Sequence, residues 1–237
     1  ISFYVVAFYP ILKIKEQKVE NVKNENRSFK RLLQKERHGF KVIILFAIAQ
    51  MIIGFGSGLV IPYLNLYFVD RFQISHSLVG FIVSGGQAMT AVAMLIGPAV
   101  VNRVGEVRSV MILQLSSIPF LLLTAYTTHI GLAAFGFLFR QALMNAGNPI
   151  QMSLMMRSVD NSIRGLANSV GQAVFQLGWA VMGPISTTIV MLYGAYTGYA
   201  IVFTITGFLY VIGTVYFYIV FRKPLDNPRS QTSKTVI

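Results

Sequence analysis

Six apolar stretches, each long enough to cross a lipid bilayer, dominate this sequence: 40–69, 78–101, 109–127, 130–157, 164–193 and 196–221. A helix needs about 20 residues to span the hydrocarbon core. In lipid every backbone polar group must be paired internally, which leaves helices or closed barrels. Runs this continuous lack the period-two alternation of barrel strands. They predict an all-α integral membrane protein whose six-helix bundle occupies 40–222. Only 12% of the 237 residues are charged, where soluble domains carry about 25%.

Twenty Lys and Arg stand against eight Asp and Glu, a net charge of +12. In a soluble chain that balance would suggest nucleic acid. Here the distribution explains it instead. With 13–39 placed inside, the basic residues fall almost entirely on one side of the bundle. The opposite loops, 70–77, 128–129 and 194–195, hold only Arg71, next to Asp70. By the positive-inside rule both ends of the bundle face the cytoplasm of a multi-pass cell-membrane protein, with no nucleic-acid partner.

The flanks read separately. Residues 1–12 are apolar but too short to cross. They are expected to be the end of a preceding transmembrane helix, which would make the chain part of a longer one. Residues 13–39 form a basic cytoplasmic linker, and 223–237 a cytoplasmic tail. Phe29, Leu32 and Leu33 suit either a short amphipathic helix on the anionic leaflet or a plain solvated linker.

There is no cysteine, and His38, His76 and His129 are scattered over loops and helix ends. No metal site, no cofactor and no nucleophile–base cluster is expected, so the chain does not read as an enzyme.

Polar side chains inside spans are costly and usually face a bundle interior or a wet cavity. At about 100° per residue, Asn168, Gln172, Gln176 and Trp179 fall within roughly 80° of arc on the fifth span. On the fourth, Arg140, Gln141, Asn145, Asn148 and Gln151 fall within roughly 140°. The first carries Gln50, Ser57 and Asn65 with Gly54 and Gly58, and the second carries Ser84 and Gln87. The third has Gln114 and hydroxyls, and the sixth has hydroxyls alone. Amides also hold helices together, for about 1 kcal/mol each. Stripes on four helices at once favour a substrate cavity lined by Gln50, Asn65, Gln87, Arg140, Gln141, Asn145, Asn148, Gln172, Gln176 and Trp179. Pro62, Pro149 and Pro184 would bend gating segments.

Arg140 is the one formal charge well inside a span. Arginine stays protonated, so it must be paired, solvated or meet an anion. An anionic or strongly polar substrate group, a carboxylate from another segment, or snorkelling to the headgroups would each satisfy it. No Asp or Glu lies in a span interior. Proton or ion coupling would therefore need groups from elsewhere, or Asp70 at the end of the first span.

The spans also divide three and three. The first and fourth carry late prolines, Pro62 and Pro149. The second and fifth carry the pairs Gly97-Pro98 and Gly183-Pro184. A weak repeat of this sort, inverted across the membrane, is how secondary transporters are built.

The whole pattern resembles the C-terminal half of a major facilitator superfamily transporter. Residues 97–108 (GPAVVNRVGEVR) are similar to the superfamily's cytoplasmic loop signature, Asp-Arg-x-Gly-Arg-Arg/Lys. Arg103 and Gly105 match, Asn102 replaces the acid, Glu106 stands where a base is expected, and Arg108 follows. Residues 178–184 (GWAVMGP) resemble the antiporter Gly-x-x-x-Gly-Pro helix with one extra residue. Residues 157–169 (RSVDNSIRGLANS) resemble the loop between helices ten and eleven. The resemblance implies two inverted three-helix repeats. Helices seven, eight, ten and eleven would line the cavity, and Asn102, Arg103, Gly105 and Arg108 would form a gating loop. It further implies an absent N-terminal six-helix half as partner and alternating-access transport of a small-molecule substrate through the plasma membrane. Efflux of small or drug-like molecules is the leading expectation. A sugar or nutrient permease, a lipid flippase, and a non-transporting sensor or structural bundle are the alternatives.

Overall fold

A computed structural model describes residues 37–222; the expectations for 1–12, most of 13–39 and 223–237 lie outside the described residues. The described chain is helical almost throughout. Helix α1 (Arg37–Val60) runs through a 3-10 turn, Ile61–Tyr63, into α2 (Leu64–Phe72). Then come α3 (His76–Val104), α4 (Glu106–Tyr126) and α5 (Ile130–Ser158). A second 3-10 turn, Asn161–Ile163, leads into α6 (Arg164–Phe221).

The expected first span, 40–69, is thus two helices. Pro62 lies in the 3-10 turn between them, where its missing N–H and fixed φ break the α-helical ladder. Carbonyls near this break are met by hydroxyls from α6. Ser186 Oγ donates to the Leu59 carbonyl at 2.6 Å, and Thr206 Oγ1 donates to the Gly56 carbonyl at 3.0 Å.

The expected fifth and sixth spans run into one another without a loop. Gly194, at φ 76 and ψ 170, is the single non-helical residue inside α6. That backbone region is essentially closed to residues with a Cβ. The chain doubles back there: a Cβ placed on Gly198 would lie 2.6 Å from Val190 Cα. Eight residues along an unbroken helix would separate them by about 12 Å. The two arms of α6, 164–193 and 195–221, therefore form an antiparallel hairpin.

Four helical stretches are long and apolar enough to cross a membrane: 37–72, 76–104, 106–126 and 161–221, the last with length for two crossings. Helix α5 is the exception. Its 29 residues reach about 44 Å. Its polar run from Arg140 to Gln151 makes it less apolar than the other long helices.

Packing follows small residues and aromatic rings. Helix α1 crosses the first arm of α6 at Gly54, Gly58 and Gly178, where a Cβ on Gly58 would meet the Gly178 carbonyl at 2.7 Å. Lipid is as apolar as leucine, so close backbone approach, more than exclusion of water, draws such helices together. Helix α5 packs on both α3 and α4, and α4 also packs on α6. The core centres on Tyr67, fully buried, whose ring lies 4.9 Å from Phe203, 5.0 Å from Phe68 and 5.3 Å from Tyr199. Outward, Phe81, Leu95 and Met191 are 79%, 82% and 84% exposed. Side chains of this kind, uncovered in number, suit contact with acyl chains and not water.

Candidate functional site: an amide-lined cavity between α1, α5 and α6

Near the basic end of the bundle, three helices line a partly open cavity of about 150 Å³. Helix α1 contributes Phe46 and Gln50, one helical turn apart. Helix α5 contributes Asn148, Met152 and Met155. The first arm of α6 contributes Asn168, Gln172 and Phe175, with Gly171 keeping the wall open. Each set follows the i, i+3/i+4 spacing that places residues on one helix face. The lining is four amides, two phenyl rings and two thioethers, with no charged side chain.

The amides are only partly paired. Gln50 Nε2 donates to Gln151 Oε1 at 3.4 Å, and Asn148 Nδ2 to Asn145 Oδ1 at 3.4 Å, both long. Asn168 Oδ1 is buried and has no hydrogen-bond partner among the described residues. Trp179 packs against Phe175, ring centroids 5.9 Å apart, and so sits one ring behind the cavity wall.

Arg140 is placed elsewhere. It is 3% exposed and lies deep between helices. Its Nη2 donates to Tyr210 Oη at 2.5 Å, and its Nη1 makes a weaker 3.4 Å contact with Gln141 Oε1. Tyr210 Oη is also 2.9 Å from Ser57 Oγ. Because guanidinium can only donate, the tyrosine oxygen accepts from Arg140 and its proton is free for Ser57. The guanidinium also lies 5.5 Å from the Tyr210 ring. The network joins α5, α1 and the second arm of α6. Arg140 Nε has no partner, and no carboxylate among the described residues pairs with this cation.

The remaining sequence candidates divide. Gln141 is buried beside Arg140. Asn145 touches the cavity wall only through Asn148. Asn65, Gln87 and Gln176 are exposed on α2, α3 and α6, uncovered by the rest of the bundle. The cavity thus gathers Gln50, Asn148 and Gln172 from the expected set. It adds Asn168, which shares the stripe of Gln172, and Phe46, Met152, Met155 and Phe175. The apolar four carry no distinguishing mark among many similar residues. Tyr210 carries no distinguishing mark in the sequence, being one of many hydroxyls on its span. Gln114, on α4, is buried and accepts from Thr214 Oγ1 at 2.9 Å, so it joins two helices away from the cavity.

At the basic end, Gly105 (φ 84, ψ 161) links α3 to α4. Asn102, Arg103 and Arg108 are exposed around it. Glu106 opens α4, where the helix dipole favours an acid. It pairs at 2.9 Å with Arg157 in the last turn of α5, where the dipole favours a base. A second cavity, about 250 Å³, lies between α3 and α5 beside this pair. At the opposite end Asp70 accepts from Tyr199 Oη at 3.0 Å. Arg71 donates to the Ala125 and Thr127 carbonyls, the latter at 2.9 Å, and lies 4.2 Å over the Tyr196 ring. It thereby closes the C-terminus of α4, whose last carbonyls lack helical partners.

A polytopic helix bundle with a polar cavity between its helices defines a membrane protein built around a solute-sized site. The comparisons agree with that class. The family model for the Major Facilitator Superfamily matches residues 46–236. The chain belongs to the Major Facilitator Superfamily. A solved structure described as the in meso crystal structure of the POT family transporter PepTSo is similar in fold, with a TM-score of 0.59 and 18% identity. The match covers 78% of this chain and 37% of that one. No curated protein matches this sequence.

Proposed function

We propose that this chain acts as the C-terminal six-helix half of a secondary transporter working by alternating access. It pairs with an N-terminal half and rocks against it around a site in this bundle. The basic end faces the cytoplasm of the cell membrane. The cargo is a small or drug-like molecule, moved outward.

One observation carries the reading. Gln50, Gln87, Asn148 and Gln172, on α1, α3, α5 and the first arm of α6, stand open to the surface or to the cavity, whereas Gln114, the amide of α4, is buried with its Oε1 accepting from Thr214. Uncovered amides in lipid would each lack partners, so a second half and a wet path between the halves supply them. Asp70 is engaged with Tyr199, which favours coupling groups on the partner half. A nutrient permease is the second reading, favoured by the amide content of the cavity.

The test is flux. Vesicles reconstituted with the intact protein are loaded with an uncharged dye or with a sugar, and exchange is followed. Dye exchange that falls with Gln172→Leu supports efflux. Sugar exchange without dye exchange moves the cargo to the second reading. Absence of exchange for either, with assembly altered by the same substitution, would sink transport and favour a structural bundle.

A further inference from the structure

Resting on that reading, we infer that the α1–α5–α6 cavity holds an uncharged carboxamide-like group carried on a ring-sized apolar body. Volume sets the first limit. A cavity of about 150 Å³ matches one known to take a single benzene ring. Its apolar half fits such a ring: Phe46 and Phe175 offer faces, and Met152 and Met155 offer polarizable sulfur.

Charge sets the second limit. An ion leaving water for this cavity would meet no counter-charge, a cost that hydrogen bonds from neutral amides only partly offset. The neighbouring cations are engaged elsewhere. Arg140 donates to Tyr210, Arg157 pairs with Glu106, and Arg164 Nε donates to the Met156 carbonyl at 2.8 Å. Arg140, for which an anionic or strongly polar substrate group is one of three expected partners, is not among the residues lining this cavity.

Hydrogen bonding sets the third. The buried Asn168 Oδ1 is an acceptor without a donor, and Gln172 lines the same wall. A turn of the Asn168 amide about its Cβ–Cγ bond would present Oδ1 to an N–H of a neutral ligand, whose carbonyl would meet an amide N–H of Gln172 or Asn148. A carboxylate offers no donor to Asn168. An ammonium offers donors but keeps its charge uncompensated.

Benzamide, benzoate and benzylammonium share a size and differ in charge, so they isolate this inference. Trp179 is the one tryptophan of the 237 residues and stands against Phe175, so its emission reports occupancy. The intact protein in micelles is titrated with each probe, with Trp179→Phe identifying the signal. Benzamide should bind at least about tenfold more tightly than either ion, and Asn168→Leu should weaken it by about tenfold, one lost hydrogen bond. Asn168→Asp should reverse the preference toward benzylammonium, which a merely misfolded variant would not do.

Equal or tighter binding of benzoate, no saturable signal from any probe, or benzamide binding indifferent to Asn168 would each overturn the site. Flux in vesicles separates this from the transport reading. Binding without flux of any solute leaves the site and removes transport. Flux without benzamide selectivity removes the site and leaves transport.

Discussion

Replacing Gly178 by alanine tests the close crossing of α1 and the first arm of α6. A Cβ at 178 would lie 2.6 Å from the Gly54 carbonyl carbon and 2.7 Å from Phe55 N. All of these contacts are backbone, so no side chain can swing away. Ordinary contact begins at 3.4 Å, so α1 and the first arm of α6 must part by about 0.8 Å. Overpacking of this kind costs about 1–3 kcal/mol, less up to about 1 kcal/mol gained from alanine's helix propensity. For a domain of this size 1 kcal/mol is about 2–4 °C, which gives a drop of up to about 12 °C in the apparent unfolding midpoint in detergent. Gly80→Ala is the control, because a Cβ there meets nothing within 4 Å; its midpoint should hold or rise. Combining Gly58→Ala with Gly178→Ala should cost less than the two separately, since helices parted once need not part again. A midpoint for Gly178→Ala raised above that of wild type, as alanine's helix propensity alone would raise it, would refute the crossing as described.

Three further outcomes follow from the same geometry. Tyr210→Phe removes the hydroxyl that accepts from Arg140 and should cost about 1.5–3 kcal/mol, as bonds to charged groups do; in a double-mutant thermal cycle, Arg140→Met should make the tyrosine loss smaller. Gly105→Ala puts a Cβ on a residue at φ 84 and ψ 161, so it should destabilise by about 1–3 kcal/mol although space around it is open, and a neutral unfolding curve would contradict the backbone conformation. Glu106→Gln breaks the pair with Arg157, but the arginine side chain is 67% exposed, so the midpoint should fall by no more than about 1 kcal/mol's worth and the difference should shrink in high salt.

Much of the architecture is legible from apolar run length, because lipid forces backbone pairing within each segment and leaves few alternatives to a helix. Gly105 separates α3 from α4 between the expected spans 78–101 and 109–127, whereas Pro62 divides the expected first span, 40–69, into α1 and α2. The site is less legible for a physical reason. Periodicity tells which residues share a face of one helix, not which faces of different helices meet. Asn168 and Gln172 belong to a visible stripe, yet only packing brings them to Gln50 and Asn148. Arg140 shows the same gap. Its charge and depth singled it out, but its direction depends on Tyr210, seventy residues away on an otherwise apolar span. The basic loop resembles a gating signature. In the structure its acid, Glu106, ties α4 to α5, and Arg103 and Arg108 stay exposed.

The Gly194 break bears on how the protein is made. With one residue between its arms, α6 has no tether on which one arm could wait while the other crosses. The contact of Gly198 against Val190 forms right at the bend. The two arms must therefore enter the bilayer together, as a preformed pair, and the 58 residues of α6 are committed in one step of biogenesis. An epitope inserted at 194 would uncouple that step, yielding chains whose final arm stays on the side where it was synthesised.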